Sequence, residues 1–190
     1  LLNGVPGYRS QFAAVWGGEA TPERVVKSLA AFMRSLVSTD SAWDRHEAGA
    51  AGAVSTEAIA GEKLFAGKGR CTTCHSPPYY GNSTFFNIGL EHGKPNPDPG
   101  RYDVTRVEAD RGAFKTPGLR SVALSAPYFH DGSAATLEQA VRIMAGGGKP
   151  DPNKTPILQP SGLSDAEIEQ IVAFLESLTS TEAWAQPTLP

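Results

Sequence analysis

Cys71, Thr72, Thr73, Cys74 and His75 form a C-x-x-C-H run, the most specific chemical signal in the 190 residues. Two thiols three residues apart on one helical turn can each add to a vinyl group of a haem, and the next residue is placed to bring its imidazole to the iron. The run therefore reads as a c-type haem attachment motif. With two Cys and four His in the whole chain, chance produces such an arrangement roughly 2 times in 10,000. The alternatives fail on ligand count and context. A structural zinc site needs four ligands, and Cys71, Cys74 and His75 leave the fourth unnamed. A thioredoxin-like redox pair belongs in a βαβ setting that this sequence lacks, and has no use for the adjacent histidine. Thioether formation consumes both thiols, leaves none for a disulfide, and implies maturation outside the cytoplasm, which in a bacterium means the periplasm.

The sixth position on the iron decides between electron transfer and chemistry at the metal, and Met33, Met144, His46, His92 and His130 are the candidates. Met33 lies in an apolar stripe at helical spacing and reads as core filler. His46 and His92 sit among polar and Gly-rich neighbours and read as solvated. Met144 closes an apolar helix face just before Gly146, Gly147 and Gly148, where the backbone can approach a flat cofactor closely. Spacing leaves it open between ligand and core. His130, within Pro127-Tyr128-Phe129-His130-Asp131-Gly132, stays open between an iron ligand, a propionate donor and a partner for backbone.

The elements that must position these residues read as helices separated by long irregular stretches, an all-α class. Pro6 opens a helix through Trp16, ended by Gly17 and Gly18. Thr21 and Pro22 begin a second, with Val25, Val26, Leu29, Phe32, Met33 and Leu36 on its apolar face. Ser55 caps a third, carrying Ile59, Leu64 and Phe65 up to Gly67. From Ser76 to Pro127 the density of Pro, Gly, Asn and Asp predicts no regular element, a length of loop that normally wraps something. Thr136 with Gln139, and Ser164 with Glu167, are capping boxes. The first opens a helix with Leu137, Ala140, Val141 and Met144 on one face, the second a helix with Ile168, Ile171, Val172, Leu175 and Leu178. The predicted organisation is a helical lead-in over 1–50, a haem domain over 51–180 and a tail over 181–190.

Composition narrows the partners. A net charge of −3 with pI about 5.8 gives no field to collect a polyanion, so nucleic acid is not expected. No run of 18 apolar residues exists, so no membrane span is expected. The chain opens on Leu1, Leu2 and Asn3 with neither an initiator Met nor a signal peptide, and reads as a mature or partial chain. Lys63, Lys68, Arg70 and Lys94 flank the motif and read as a solvated face or as a greeting for an acidic partner. Trp16, Trp43 and Trp184 read as interior anchors before charge relays.

The run Phe114-Lys115-Thr116-Pro117-Gly118-Leu119-Arg120-Ser121-Val122-Ala123-Leu124-Ser125-Ala126-Pro127-Tyr128-Phe129-His130-Asp131-Gly132 resembles the signature of bacterial di-haem cytochrome c peroxidases. The likeness extends through Thr136-Leu137-Glu138-Gln139-Ala140-Val141 and Ile171-Val172-Ala173-Phe174-Leu175, and back through Asp40-Ser41-Ala42-Trp43-Asp44-Arg45. It implies a cytochrome c-like helical domain with long loops around one covalent haem c, corresponding to the family's C-terminal, high-potential haem domain. It implies Cys71 and Cys74 as thioethers, His75 as proximal ligand and Met144 as distal ligand. Arg120 and His130 become candidate contacts to a propionate or the haem pocket, and the carbonyls of Ser125 and Pro127 half of a calcium site. Electrons would arrive from a small cytochrome c or cupredoxin and leave to a second haem, N-terminal to this chain, where hydrogen peroxide is reduced. Family members are commonly dimers. The MauG-type relatives have a tyrosine where Met144 stands, and the Gly- and Pro-rich stretch from Gly146 to Pro160 resembles that wider group. Gly118 and Ser121 stand where Thr and Asn are expected. The N-terminal haem motif and the acid/base residues of a peroxidatic pocket do not occur in these residues. Two rival readings are therefore a free-standing monohaem cytochrome c carrier and a MauG-like oxidase of a protein or organic substrate.

Overall fold

A computed structural model describes residues 1–181 and 188–189. Trp184 and most of the expected tail lie outside the described residues. The chain forms two compact units, one built on Leu1–Ser38 and one spanning Thr39–Thr181. Residues 39–50, read above with the lead-in, compact with the unit that carries the cysteine motif.

In the first unit, α1 (Pro6–Trp16) ends on Gly17 in a left-handed conformation and α2 (Pro22–Ser35) begins at Thr21, whose side chain accepts from the Arg24 amide. Trp16 anchors this unit by donating its indole N–H to the Ser28 hydroxyl at 3.0 Å. The reading of Met33 as core filler is corrected here, since Met33 is 69% exposed, and Val26, Leu29 and Phe32 on the same stripe are exposed too. Helical spacing identifies which face is apolar, and burial depends on what packs against it.

The second unit is built on α3 (Ala42–Glu47), α4 (Thr56–Ala66), α5 (Tyr102–Thr105), α6 (Leu137–Ala145) and α7 (Asp165–Ser177). The three caps expected from sequence are present, with Ser55 heading α4 and capping boxes opening α6 and α7. A further box, Ser41 with Asp44, opens α3. Helices α4 and α7 cross closely enough that a Cβ on Gly61 would stand 1.9 Å from the Gln170 carbonyl oxygen. Only glycine fits that crossing. The core gathers Trp43, Phe65, Tyr80, Ile171, Phe174, Leu175 and Leu178, with Cys71, Leu137 and Val141 packed against it. Rings of Trp43 and Tyr80 meet the Phe174 ring edge-on, at centroid distances of 4.8 and 5.6 Å.

The stretch 76–127 is mostly irregular, but not wholly so. It contains the short antiparallel pair β1 (Phe85–Phe86) and β2 (Phe114–Lys115), in the register Phe85 to Lys115 and Phe86 to Phe114, together with the one-turn α5. Long-range pairing supplied by the folded chain overrides the local preference of its Pro and Gly residues. The fold remains helix-rich, as expected.

Candidate haem-attachment site

The end of α4 delivers the chain into the cysteine motif. The Gly69 amide donates to the Leu64 carbonyl at 2.7 Å, and a Cβ on Gly69 would crowd that carbonyl at 2.8 Å and the Cys71 sulfur at 3.2 Å. Arg70 adopts a left-handed φ of 55°, and Cys71–Thr73 form a single 3-10 turn. The amides of Cys74 and His75 both donate to the Cys71 carbonyl, at 3.1 and 2.8 Å. One turn thus holds both thiols and the imidazole together. Burial, with Cys74 nearby, pushes the Cys71 thiol up to about 11, and burial raises Cys74 as well. A reactive redox pair needs a thiol biased toward thiolate, so the environment argues against disulfide exchange.

His75 donates its Nδ1–H to the Tyr80 carbonyl at 2.9 Å. A carbonyl can only accept, so the proton lies on Nδ1 and the Nε2 lone pair is left for a metal. Burial lowers the His75 pKa, against the opposing pull of the Tyr80 and Pro117 carbonyls, and the neutral imidazole is the ligating form. Tyr80 is itself buried, with its ring packed against Phe65 and Phe174.

Met144 is half-buried near the end of α6. It stands seven residues after Leu137 and three after Val141, so it continues the stripe that packs on the core holding Cys71. The segment after α6 returns to the motif. Arg70 donates to the carbonyls of Gln159 and Pro160 at 3.2 and 3.3 Å, while Ser161 donates its amide and hydroxyl to the Ala145 carbonyl at 2.9 and 3.1 Å. The residue before Cys71 and the residue after Met144 are therefore tied to one stretch, 159–161. Two thiols on one turn, an adjacent imidazole protonated on Nδ1 and a half-buried thioether near the end of α6 are a donor set that fits haem c.

Arg120 is engaged with protein groups, forming a two-point pair with Asp44 and donating Nε–H to the Pro78 carbonyl. His130 stacks on Phe114 with ring centroids 3.5 Å apart, and its Nε2 lies 2.6 Å from Glu91. Lys94 joins Glu91 to Asp131 at 2.6 and 2.8 Å. Burial pushes the Glu91 carboxyl up, but the Lys94, Asp98 and His130 donors outweigh it and hold the group below the usual range. The lysine makes this an ion-paired network joining two loops. Ser125 and Pro127 are exposed, and the Ser125 hydroxyl donates to the Val122 carbonyl. Of the four cations near the motif, Lys68 pairs with Glu167 at 2.7 Å, while Arg70 and Lys94 are bonded as above. His92 is exposed, as expected, whereas His46 is half-buried with its ring 5.2 Å from that of Trp43. Trp43 is a core anchor.

Sequence reading gave no role to Tyr80, Asp44 or Glu91. The Ser41-x-x-Asp44 spacing was a visible cap signal, but a backbone acceptor such as the Tyr80 carbonyl leaves no mark on sequence.

A family model for di-haem cytochrome c peroxidase matches residues 1–52, and one for cytochrome c matches residues 58–179. The chain is 39% identical over 194 residues to a cytochrome c551 peroxidase of Nitrosomonas europaea, covering 100% of this chain and 55% of that protein. It is 36% identical over 184 residues to the methylamine utilization protein MauG of Methylorubrum extorquens, covering 96% and 52%. Among solved structures it resembles a MauG-like protein associated with microbial copper homeostasis, with a TM-score of 0.72 and 29% identity over 85% of this chain and 58% of that one. The chain spans about half the length of the curated relatives it matches. A C-x-x-C-H turn on a cytochrome c domain, preceded by a peroxidase-type segment, places this chain in the di-haem cytochrome c peroxidase and MauG family.

Proposed function

We propose that this chain is the electron-accepting haem c portion of a di-haem peroxidase-type oxidoreductase. It takes electrons from a small cytochrome c or cupredoxin and passes them to a second haem for hydrogen peroxide reduction, in the periplasm. The observation that carries this reading is the hydrogen bond from His75 Nδ1 to the Tyr80 carbonyl, which prepares Nε2 as a metal ligand one residue after the C-x-x-C pair. Haem c held there supplies one-electron redox chemistry. Cys71 and Cys74 would tether it covalently, His75 and Met144 would hold its iron, and the Met144 thioether would favour the ferrous state and keep peroxide from the metal. Phe65, Tyr80 and Phe174 keep the surrounding core dry.

The test is covalent haem stoichiometry on the natural polypeptide, by intact mass after acid and organic extraction. Haem that stays with the protein, and negligible peroxidase turnover by these 190 residues with reduced donor, support the reading. Two free thiols, or turnover matching an intact di-haem enzyme, overturn it. A MauG-like oxidation of a protein or organic substrate is the second reading, supported by the 36% identity to MauG. Substrate-dependent consumption of peroxide without any small redox donor would favour it.

A further inference from the structure

Asp44 and Arg120, 76 residues apart, meet through two parallel hydrogen bonds, Nη1 to Oδ2 and Nη2 to Oδ1, both 2.8 Å long. This fork geometry fixes the guanidinium plane as well as its position. The two side chains are only 18% and 15% exposed, and Asp44 is held from behind by the Ser41 amide and hydroxyl at 3.0 and 2.6 Å. The remaining edge of the guanidinium, Nε–H, donates to the Pro78 carbonyl at 2.7 Å.

Pro78 lies two residues before Tyr80, whose carbonyl receives the His75 proton. The Leu119 amide, beside Arg120, donates to the Tyr79 carbonyl at 3.3 Å. Residues 119 and 120 thus grip two successive carbonyls, and the third in the row meets His75. Tyr80 has a φ of 51°, a left-handed conformation that a bulky residue keeps only where its surroundings over-determine it. Its buried ring secures one side of the residue. The grip on Pro78 and Tyr79 secures the backbone leading into it.

We propose that Asp44 and Arg120 are positioning residues for the axial ligand His75, acting through the Pro78–Tyr80 segment; this rests on the haem reading of the site. Asp44 orients Arg120, Arg120 holds the segment, and the segment aims the Tyr80 carbonyl at Nδ1. An acceptor held on Nδ1–H fixes the tautomer and makes Nε2 a stronger donor. A stronger donor favours ferric over ferrous iron, so loosening the segment moves the reduction potential upward. Lysine at 120 keeps the charge but not the fork, and cannot hold Asp44 and Pro78 at once.

The experiment compares the haem-loaded wild-type chain with Arg120→Gln, Arg120→Lys, Asp44→Asn and Asp44→Glu. It measures midpoint potential, solvent exchange of the His75 Nδ1 proton by NMR, and thermal stability. We expect Arg120→Gln, Arg120→Lys and Asp44→Asn to raise the potential, up to a tenfold change in the oxidised-to-reduced ratio, about 59 mV for one electron. The Nδ1 proton should exchange faster in each, and Asp44→Glu should shift both readouts less than Asp44→Asn. Variants with lowered stability but wild-type potential and Nδ1 exchange would reduce the pair to a structural role and overturn the proposal. If Arg120→Gln does not assemble, Arg120→Lys and Asp44→Asn decide by the same readouts. A wild-type chain without thioether-linked haem would overturn the reading of the site itself, a result distinguishable from failure of the pair.

Discussion

Helices α2 and α7 carry the same kind of pattern and meet different fates. Val25, Val26, Leu29, Phe32 and Met33 recur on α2 as Ile168, Ile171, Val172 and Leu175 recur on α7. Yet Phe32 is 53% exposed, whereas Phe174 on α7 is fully buried. The stripe on α7 crosses α4 at Gly61 and meets Trp43, Phe65 and Tyr80. An amphipathic period states which side of a helix is costly to leave in water. It does not state what removes that side from water.

The largest test of the contrast between the two units is chemical. Replacing Cys71 and Cys74 together by Ser should abolish covalent haem, read as the loss of mass-shifted polypeptide, while Met33→Ala on α2 should leave haem attachment unchanged. On the packing side, Phe174→Ala should cost about 3 to 5 kcal/mol through the cavity it leaves. Phe32→Ala, on the exposed stripe, should stay within about 0.5 kcal/mol. Comparable losses in urea denaturation would mean that the two stripes are equivalent after all.

The two methionines sharpen the comparison further. If Met144 ligates iron, Met144→Ala should shift the ferric spectrum from low spin toward high spin and lower the reduction potential, and Met→His at that position should restore low spin at a low potential. If Met144 is only packing, the variant should lose about 2 to 5 kcal/mol with an unchanged spectrum. Met33→Ala, at 69% exposure, should change neither. A pH-dependent test concerns Asp44. Burial raises its pKa, but the Arg120 and Ser41 hydrogen bonds outweigh that and hold it below its ordinary 3.8. A carboxylate with a depressed folded pKa stabilises the protein above its unfolded value, and that contribution is lost as pH falls through the folded pKa. Asp44→Asn should therefore cost about 1.5 to 3 kcal/mol at pH 6. The gap from wild type should narrow below pH 3.8, as read by urea midpoints at the two pH values.

The sequence alone carries the haem-attachment reading, because the C-x-x-C-H spacing is contained within one turn and needs no distant partner. It also determined where α2, α4, α6 and α7 begin, since caps are interactions among residues three apart. Tertiary structure decided what lies across longer separations. It paired β1 with β2 inside a stretch whose composition predicts loop, left the apolar face of α2 exposed, and joined Asp44 to Arg120 across 76 residues. It also turned the Tyr80 carbonyl onto His75. A backbone carbonyl is common to every residue, so its aim is set by the path of the chain and not by the identity of the side chain that carries it.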